Sequence, residues 1–276
     1  MAVATDPPAE ATAIAFPDLE GLLGTKDLGL GTNRISFVLQ TSEGLVSLPQ
    51  IQVKSLYAGS EVERVTGRFH LWPFGTRGNY VSELTFDKAG EWQIEAVIAR
   101  GEESLASTVM DVEVKEDSFT PSIGSAPPQT PNKTATDEAG LREITTWPRA
   151  DPDLYRTTIP EALGSGMPLV VVMSSPGFCT SPTCGPQVET VTELKNLYAG
   201  QANFIHVEIY DNPVEIQSSL DMGIYSLVVV DWGVTEPEDY LNESWVFIID
   251  ADGLIRAKYE GYASLDELES GLEEAL

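Results

Sequence analysis

The chain has 276 residues, 42% of them hydrophobic, which is long for a single ordinary domain and apolar enough for two cores. Its 43 acidic and 16 basic residues leave a net charge of −27, with −9 carried before residue 120 and −18 after it. Such a field repels phosphate backbones and anionic membrane surfaces, which argues against nucleic acid as a partner and reads first as a well-solvated acidic surface.

Residues 1–28 are rich in Pro and Ala and read as a flexible tether. They show neither a basic segment followed by a continuous apolar stretch nor any run of about 18 apolar residues, so no signal peptide and no transmembrane segment is expected. A membrane tether would enter only with an N-terminal anchor preceding this chain.

From Asn33 to Lys115 the apolar residues alternate in short runs: RISFVLQT, SLPQIQVKSLYA, NYVSELTF, EWQIEAVIAR and STVMDVEVKE. Period-two alternation between Gly-containing turns predicts an antiparallel β-sandwich over residues 29–117. Tyr80, Leu84 and Phe86 should face inward on one strand, and Trp92, Ile94 and Val97 or Ile98 on the next. Asp87-Lys88-Ala89-Gly90 supplies the hairpin turn, with Gly90 free to take a positive φ. The pattern Tyr80 … Ala89-Gly90-x-Trp92 resembles the immunoglobulin-like domains of bacterial extracytoplasmic proteins of the copper-resistance and oxidase-assembly type. That resemblance implies an immunoglobulin-like sandwich.

Residues 118–150 are dense in Pro, Ser and Thr without sustained periodicity, and predict an extended linker. Residues 151–276 then change character. TTIPEALGSGM reads as a helix with Pro160 in its first turn, and MPLVVVMSS as a central strand covered on both faces. PQVETVTELKNLYAG is a helix with an apolar stripe of Val188, Val191, Leu194, Leu197 and Tyr198. ANFIHVEIYD is a strand, SWVFIIDADGLIRAKYEG a hairpin turning at Asp252-Gly253, and SLDELESGLEEAL a terminal amphipathic helix.

Both cysteines, Cys179 and Cys184, lie in SSPGFCTSPTCGP between the first strand and the long helix. Strand, cysteine loop, helix, strand, hairpin, helix resembles the thioredoxin-like superfamily, carried by PLVVVMSSPGFCTSPTCGPQVETVTEL and FIIDADGLIRAKYEG. The resemblance implies an α/β fold with a central mixed sheet flanked by helices, and thiol-disulfide oxidoreductase activity on a protein or peptide thiol or disulfide, outside the cytoplasm. No cofactor and no metal are implied. Thioredoxins carry Cys-Gly-Pro-Cys, whereas here the sequence is Cys184-Gly185-Pro186-Gln187 with the second cysteine five residues upstream. A thiol at the start of a helix is acidified by the helix dipole, which favours Cys184 as attacking thiolate and Cys179 as its resolving partner. Phe178, Gly185, Pro186 and Gln187 would support the loop and helix start, and Ser244 and Trp245 would line the substrate groove, Ser244 standing where the family has a cis-proline. The family's buried acid before the cysteines is replaced by an apolar residue.

Two other readings stay open. The pair could be a structural disulfide in a non-catalytic binding or assembly module. Copper delivery for respiratory-oxidase assembly is the third, although the copper carriers of that fold use a late histidine and this chain has only His70 and His206, each read as a packed strand or loop residue. Asp231, Asp250 and Asp252 read as turn or surface residues. Tyr225, Trp232 and Tyr240 form an aromatic cluster that makes either a small core of its own or a lip for a partner.

Overall fold

The structure is a computed structural model that describes residues 16, 18–73, 75, 77–101, 103–179, 183–218, 220–236 and 244–276. Residues 1–15 of the expected tether, residues 180–182 of the cysteine loop, and Tyr240 lie outside the described residues.

Nine strands occupy the first part of the chain: β1 (Glu20–Leu23), β2 (Leu28–Gly29), β3 (Gly31–Thr41), β4 (Gly44–Leu45), β5 (Gln50–Tyr57), β6 (Ser60–Leu71), β7 (Gly78–Phe86), β8 (Gly90–Arg100) and β9 (Glu103–Lys115). They form one hydrogen-bonded sheet in the order β1-β3-β7-β6-β5-β8-β9-β2, with β4 added to β3. The expected pair of facing sheets is therefore absent from the described residues, and the immunoglobulin-like sandwich is replaced by a single mixed sheet curled into a half-barrel. Period-two alternation fixes which side chains face inward, and those positions hold: Tyr80, Leu84, Phe86, Trp92 and Ile94 are all buried. Alternation is silent about how an inward face is enclosed.

What encloses it is the stretch read as tether. Residues 20–29 pair antiparallel with β3 through β1 and then parallel with β9 through β2, so one segment joins both ends of the sheet. Gly21 lies so close to β9 that an added Cβ would fall 2.7 Å from Met110 Sδ, and the Met110 side chain would have to shift to admit it. Bulges at Ser55/Leu56 and Ile98/Ala99 bend the long strands, and Phe37, Phe86 and Trp92 fill the interior.

The second part contains α1 (Glu138–Ile144), α2 (Ile159–Leu163), β10 (Leu169–Ser174), α3 (Cys184–Leu197), β11 (Asn203–Glu208), α4 (Leu227–Asp231), β12 (Ser244–Ile249), β13 (Ile255–Glu260) and α5 (Leu265–Ala275). Its sheet has four strands in the order β11-β10-β12-β13, β10 and β11 running parallel and the other pairs antiparallel. All six residues of β10 are buried, with Val170 and Val172 packing under α3 and α5 and Leu169, Val171 and Met173 under α2 and α4. The expected thioredoxin-like α/β domain is corrected as well: the chain is dominated by strands, 41% against 21% helix, and the small sheet is an appendage to the half-barrel. Two of its helices run only five residues, because Pro160 with Gly164 and Ser226 with Gly233 set start and stop signals so close together.

Residues 118–150 are not a spacer. Thr120, Thr130, Asn132, Ala135 and Leu141 in this stretch are buried, and backbone hydrogen bonds from Gly124 to Ile255 and from Ile255 to Ser125 lay it along β13. The two sheets are joined by polar contacts. Arg34 on β3 donates to Glu267 at 2.7 Å and to the carbonyls of Glu260 and Tyr262, while Glu260 accepts the backbone N–H groups of Lys26 and Asp27. Asp27 in turn accepts three hydrogen bonds from Phe119 and Thr120.

Candidate functional site

Cys179 and Cys184 form a disulfide with Cα atoms 6.1 Å apart, at the C-terminal edge of β10. β10 ends at Ser174 because the next residues, Ser175-Pro176-Gly177, turn the chain out, and Phe178 N–H closes that turn on the Ser175 carbonyl. Cys184 is the first residue of α3 and is fully buried, its carbonyl accepting from Ser174 Oγ at 3.2 Å. Cys179 is only half-buried. The two residues thus differ in burial, Cys179 being the more exposed, while the helix start that would acidify Cys184 is in place.

The supporting residues separate into two groups. Phe178 packs edge-on against Tyr210 at 5.9 Å and remains beside the disulfide, as does Gly185 at the start of α3. Pro186 is partly exposed on the same turn and its carbonyl accepts from Thr190. Gln187 turns inward, fully buried, with its oxygen accepting the Ala263 N–H at 2.7 Å and its Nε2 unpaired. Ser244 and Trp245 are also buried, Ser244 beside Ser174 in the sheet, so they form the floor of the β10 edge and not an open groove. Among the described residues no peptide bond is cis.

The stretch read as linker supplies residues that the sequence did not nominate. Trp147 covers the helix start: a Cβ on Gly185 would fall 2.8 Å from its ring. Thr146 does the same to the other arm of the loop, where a Cβ on Gly177 would lie 2.6 Å from the Thr146 Cβ. Both glycines flanking the disulfide are thus fixed by residues 146 and 147.

Beneath them lies a buried polar cluster on β11. Glu208 accepts from Thr146 N–H at 2.7 Å and from Thr146 Oγ1 at 2.8 Å, and Thr146 Oγ1 also receives the Gly177 N–H, linking this acid to the cysteine loop. Its other oxygen, Oε1, is buried as well, and the Ser175 hydroxyl beside the carboxyl favours its charged form. Burial pushes the Glu208 carboxyl up to about 7, against the lowering pull of the hydrogen bonds it receives. Next to it His206 is buried with both ring nitrogens engaged, Nδ1 with Tyr155 Oη at 2.6 Å and Nε2 with the Ser174 carbonyl at 3.2 Å. Burial pulls His206 down to about 4, and it stays neutral. His70 lies on the half-barrel, where it meets Ser264. Among the described residues no group of three or more His, Cys, Asp or Glu side chains is arranged to hold a metal.

An open groove of about 690 Å³ runs beside the loop, its lining including Gly177, Phe178, Val214, Trp147, Arg149 and the Glu138–Arg142 ion pair. A second cavity of about 170 Å³ lies behind it against Tyr155, His206, Glu208 and Ser226. The arrangement offers one partly exposed cysteine, one buried cysteine and a buried acid whose carboxyl is pushed up to about 7. No helix among the described residues is long and apolar enough to cross a membrane. No family model and no curated protein matches this chain.

Proposed function

We propose that the chain exchanges disulfides with thiol-bearing polypeptides through Cys179 and Cys184. The observation that carries the reading is the unequal burial of the two cysteines: a partly exposed Cys179 in front of a buried Cys184, at the edge of the central strand. A partner thiolate attacks Cys179 Sγ, the Cys179–Cys184 bond breaks, and Cys184 leaves as a thiolate that takes up a proton. A second partner thiolate then attacks the partner sulfur of the mixed disulfide, and Cys179 leaves and is protonated in its turn. The partner loses two electrons and two protons, and the cysteine pair gains both. The reverse sequence reduces a partner disulfide.

A disulfide closing so short a loop restricts the unfolded chain little, worth about 2 kcal/mol, so stability alone is a weak reason for it. A cysteine pair of this kind belongs in an oxidising compartment, and the reading places the protein outside the cytoplasm. The second reading, a non-catalytic module in which the disulfide shapes a docking loop, draws on the complete burial of Cys184 and on the close packing of residues 146 and 147 against the loop.

Equilibration in glutathione and dithiothreitol buffers, followed by alkylation and mass measurement, separates the two. Exchange chemistry requires a potential above about −270 mV and alkylation of Cys179 ahead of Cys184. A pair that stays oxidised below about −300 mV assigns the disulfide to structure.

A further inference from the structure

The excursion between β11 and β12 builds a small core of its own and leaves a second apolar face uncovered. Ile216, Val229 and Trp232 are buried beneath it, yet seven of the eighteen exposed large apolar side chains among the described residues fall between 214 and 230. Ile224 is 60% and Leu227 62% exposed, in a chain of net charge −27. Contiguous apolar exposure of this kind marks a contact surface.

The face is continuous with the disulfide. Tyr225 stacks on Tyr210 at 5.5 Å, Tyr210 meets Phe178 edge-on at 5.9 Å, and Phe178 adjoins Cys179. The loop is held in shape by Asn212, which donates to the Met222 carbonyl and accepts the Ile224 N–H. Val214 borders the groove that Phe178 shares with Trp147, so the apolar face reaches the loop that carries Cys179, while Arg142 and Arg149 in the same groove are already paired with Glu138 and Glu189. A second copy of the chain would bring a further −27 to the contact, and anionic lipid is repelled in the same way.

We propose that this surface docks an extended, cysteine-bearing polypeptide segment with large apolar residues beside its cysteine. The proposal rests on the thiol-exchange reading for its purpose, but not for its test. In exchange, the Cys179 thiolate attacks the peptide sulfur of a peptide–thionitrobenzoate disulfide and coloured thionitrobenzoate leaves. Cys184 then attacks Cys179, closing the protein disulfide and releasing the peptide thiol.

The probes are Phe-Leu-Cys-Gly-Glu and Ser-Gly-Cys-Gly-Glu, each as its thionitrobenzoate disulfide, with hydroxyethyl disulfide as a small substrate that does not use the face. The reduced protein should react about tenfold faster with the apolar peptide, an effect of about 1.4 kcal/mol. The double variant Ile224→Ser/Leu227→Ser should lose that preference while its rate with hydroxyethyl disulfide is unchanged. Equal rates with the two peptides, or a preference that survives in the variant, would overturn the proposal.

Calorimetric titration of the oxidised protein with the same peptides carrying Ser for Cys reads docking without any redox step. If hydroxyethyl disulfide does not react at all, the exchange reading fails and this titration alone decides the docking face. A concentration-dependent dimer in sedimentation that the double variant abolishes reassigns the face to self-association.

Discussion

Replacing Glu208 by Gln keeps the shape and the acceptor that Thr146 uses, and removes only the ability to ionise. Burial holds this carboxyl at about 7 in the folded chain against 4.5 for the free group. In the unfolded chain the group therefore loses its proton first. Between pH 4.5 and 7 the folded state binds more protons, so stability falls as pH rises through that window. A gap of about 2.5 units at 1.36 kcal/mol each gives a loss of about 3 kcal/mol, complete above pH 7. Glu208→Gln abolishes the loss.

The neighbouring histidine sharpens the experiment. His206 is held at about 4 against 6.5 for the free group, so the unfolded state binds its proton first as pH falls. Stability lost to His206 on acidification is regained as pH rises from 4 to 6.5, by about 3 kcal/mol on the same conversion. Over pH 4.5 to 6.5 the two terms oppose each other, and these groups together leave the native protein nearly flat there. Urea unfolding of the oxidised protein at half-unit steps from pH 4.5 to 8 should show the Gln variant gaining about 3 kcal/mol on the native chain, most of it by pH 7. A difference that does not change with pH would refute the assignment of Glu208 as a buried, proton-holding acid.

Two further outcomes follow from the packing around the site and between the sheets. Gly185→Ala should destabilise by about 1–3 kcal/mol in urea melts, because its Cβ meets the Trp147 ring, and Trp147→Leu in the same chain should recover part of the loss; no recovery would sink the contact. Arg34→Met should cost about 3 kcal/mol or more, since it leaves Glu267 and the Glu260 and Tyr262 carbonyls without their donor at the junction, and a change below about 0.5 kcal/mol would show that this junction does not contribute to folding stability.

The inward positions of the half-barrel were legible, whereas its closure was not. Tyr80, Leu84, Phe86, Trp92 and Ile94 follow from alternation, a local property of each strand. Whether their face is covered by a second sheet or by the same sheet curling depends on which strands pair across long sequence gaps. Here that was decided by residues 20–29, whose short pairings with β3 and β9 carry no alternation long enough to read. The Pro, Ser and Thr of residues 118–150 misled for a related reason. Such residues disfavour regular structure, yet Asn132 and Thr120 show that they can be buried wherever their side chains take over the hydrogen bonding that a helix or strand would have supplied.

The site divides along the same line. Cys179, Cys184 and Phe178 come from one short stretch, and their grouping was readable from spacing. Thr146 and Glu208 come from segments 30 or so residues away on either side, and a Glu in a strand otherwise made of Asn, Phe, Ile, His and Val offers only the hint of a polar residue at an inward position. Nor does spacing order the two thiols. The helix dipole favours Cys184 as the more acidic sulfur, but acidity matters only for a thiol that a partner can reach, and α3 begins with Cys184 turned into the core. Residue burial separates the two, Cys184 being buried and Cys179 partly exposed, and the order of alkylation reads which sulfur a partner meets first. A carboxyl that burial pushes up to about 7 lowers stability at neutral pH, so Glu208 is a position where folding alone would favour an amide or apolar side chain.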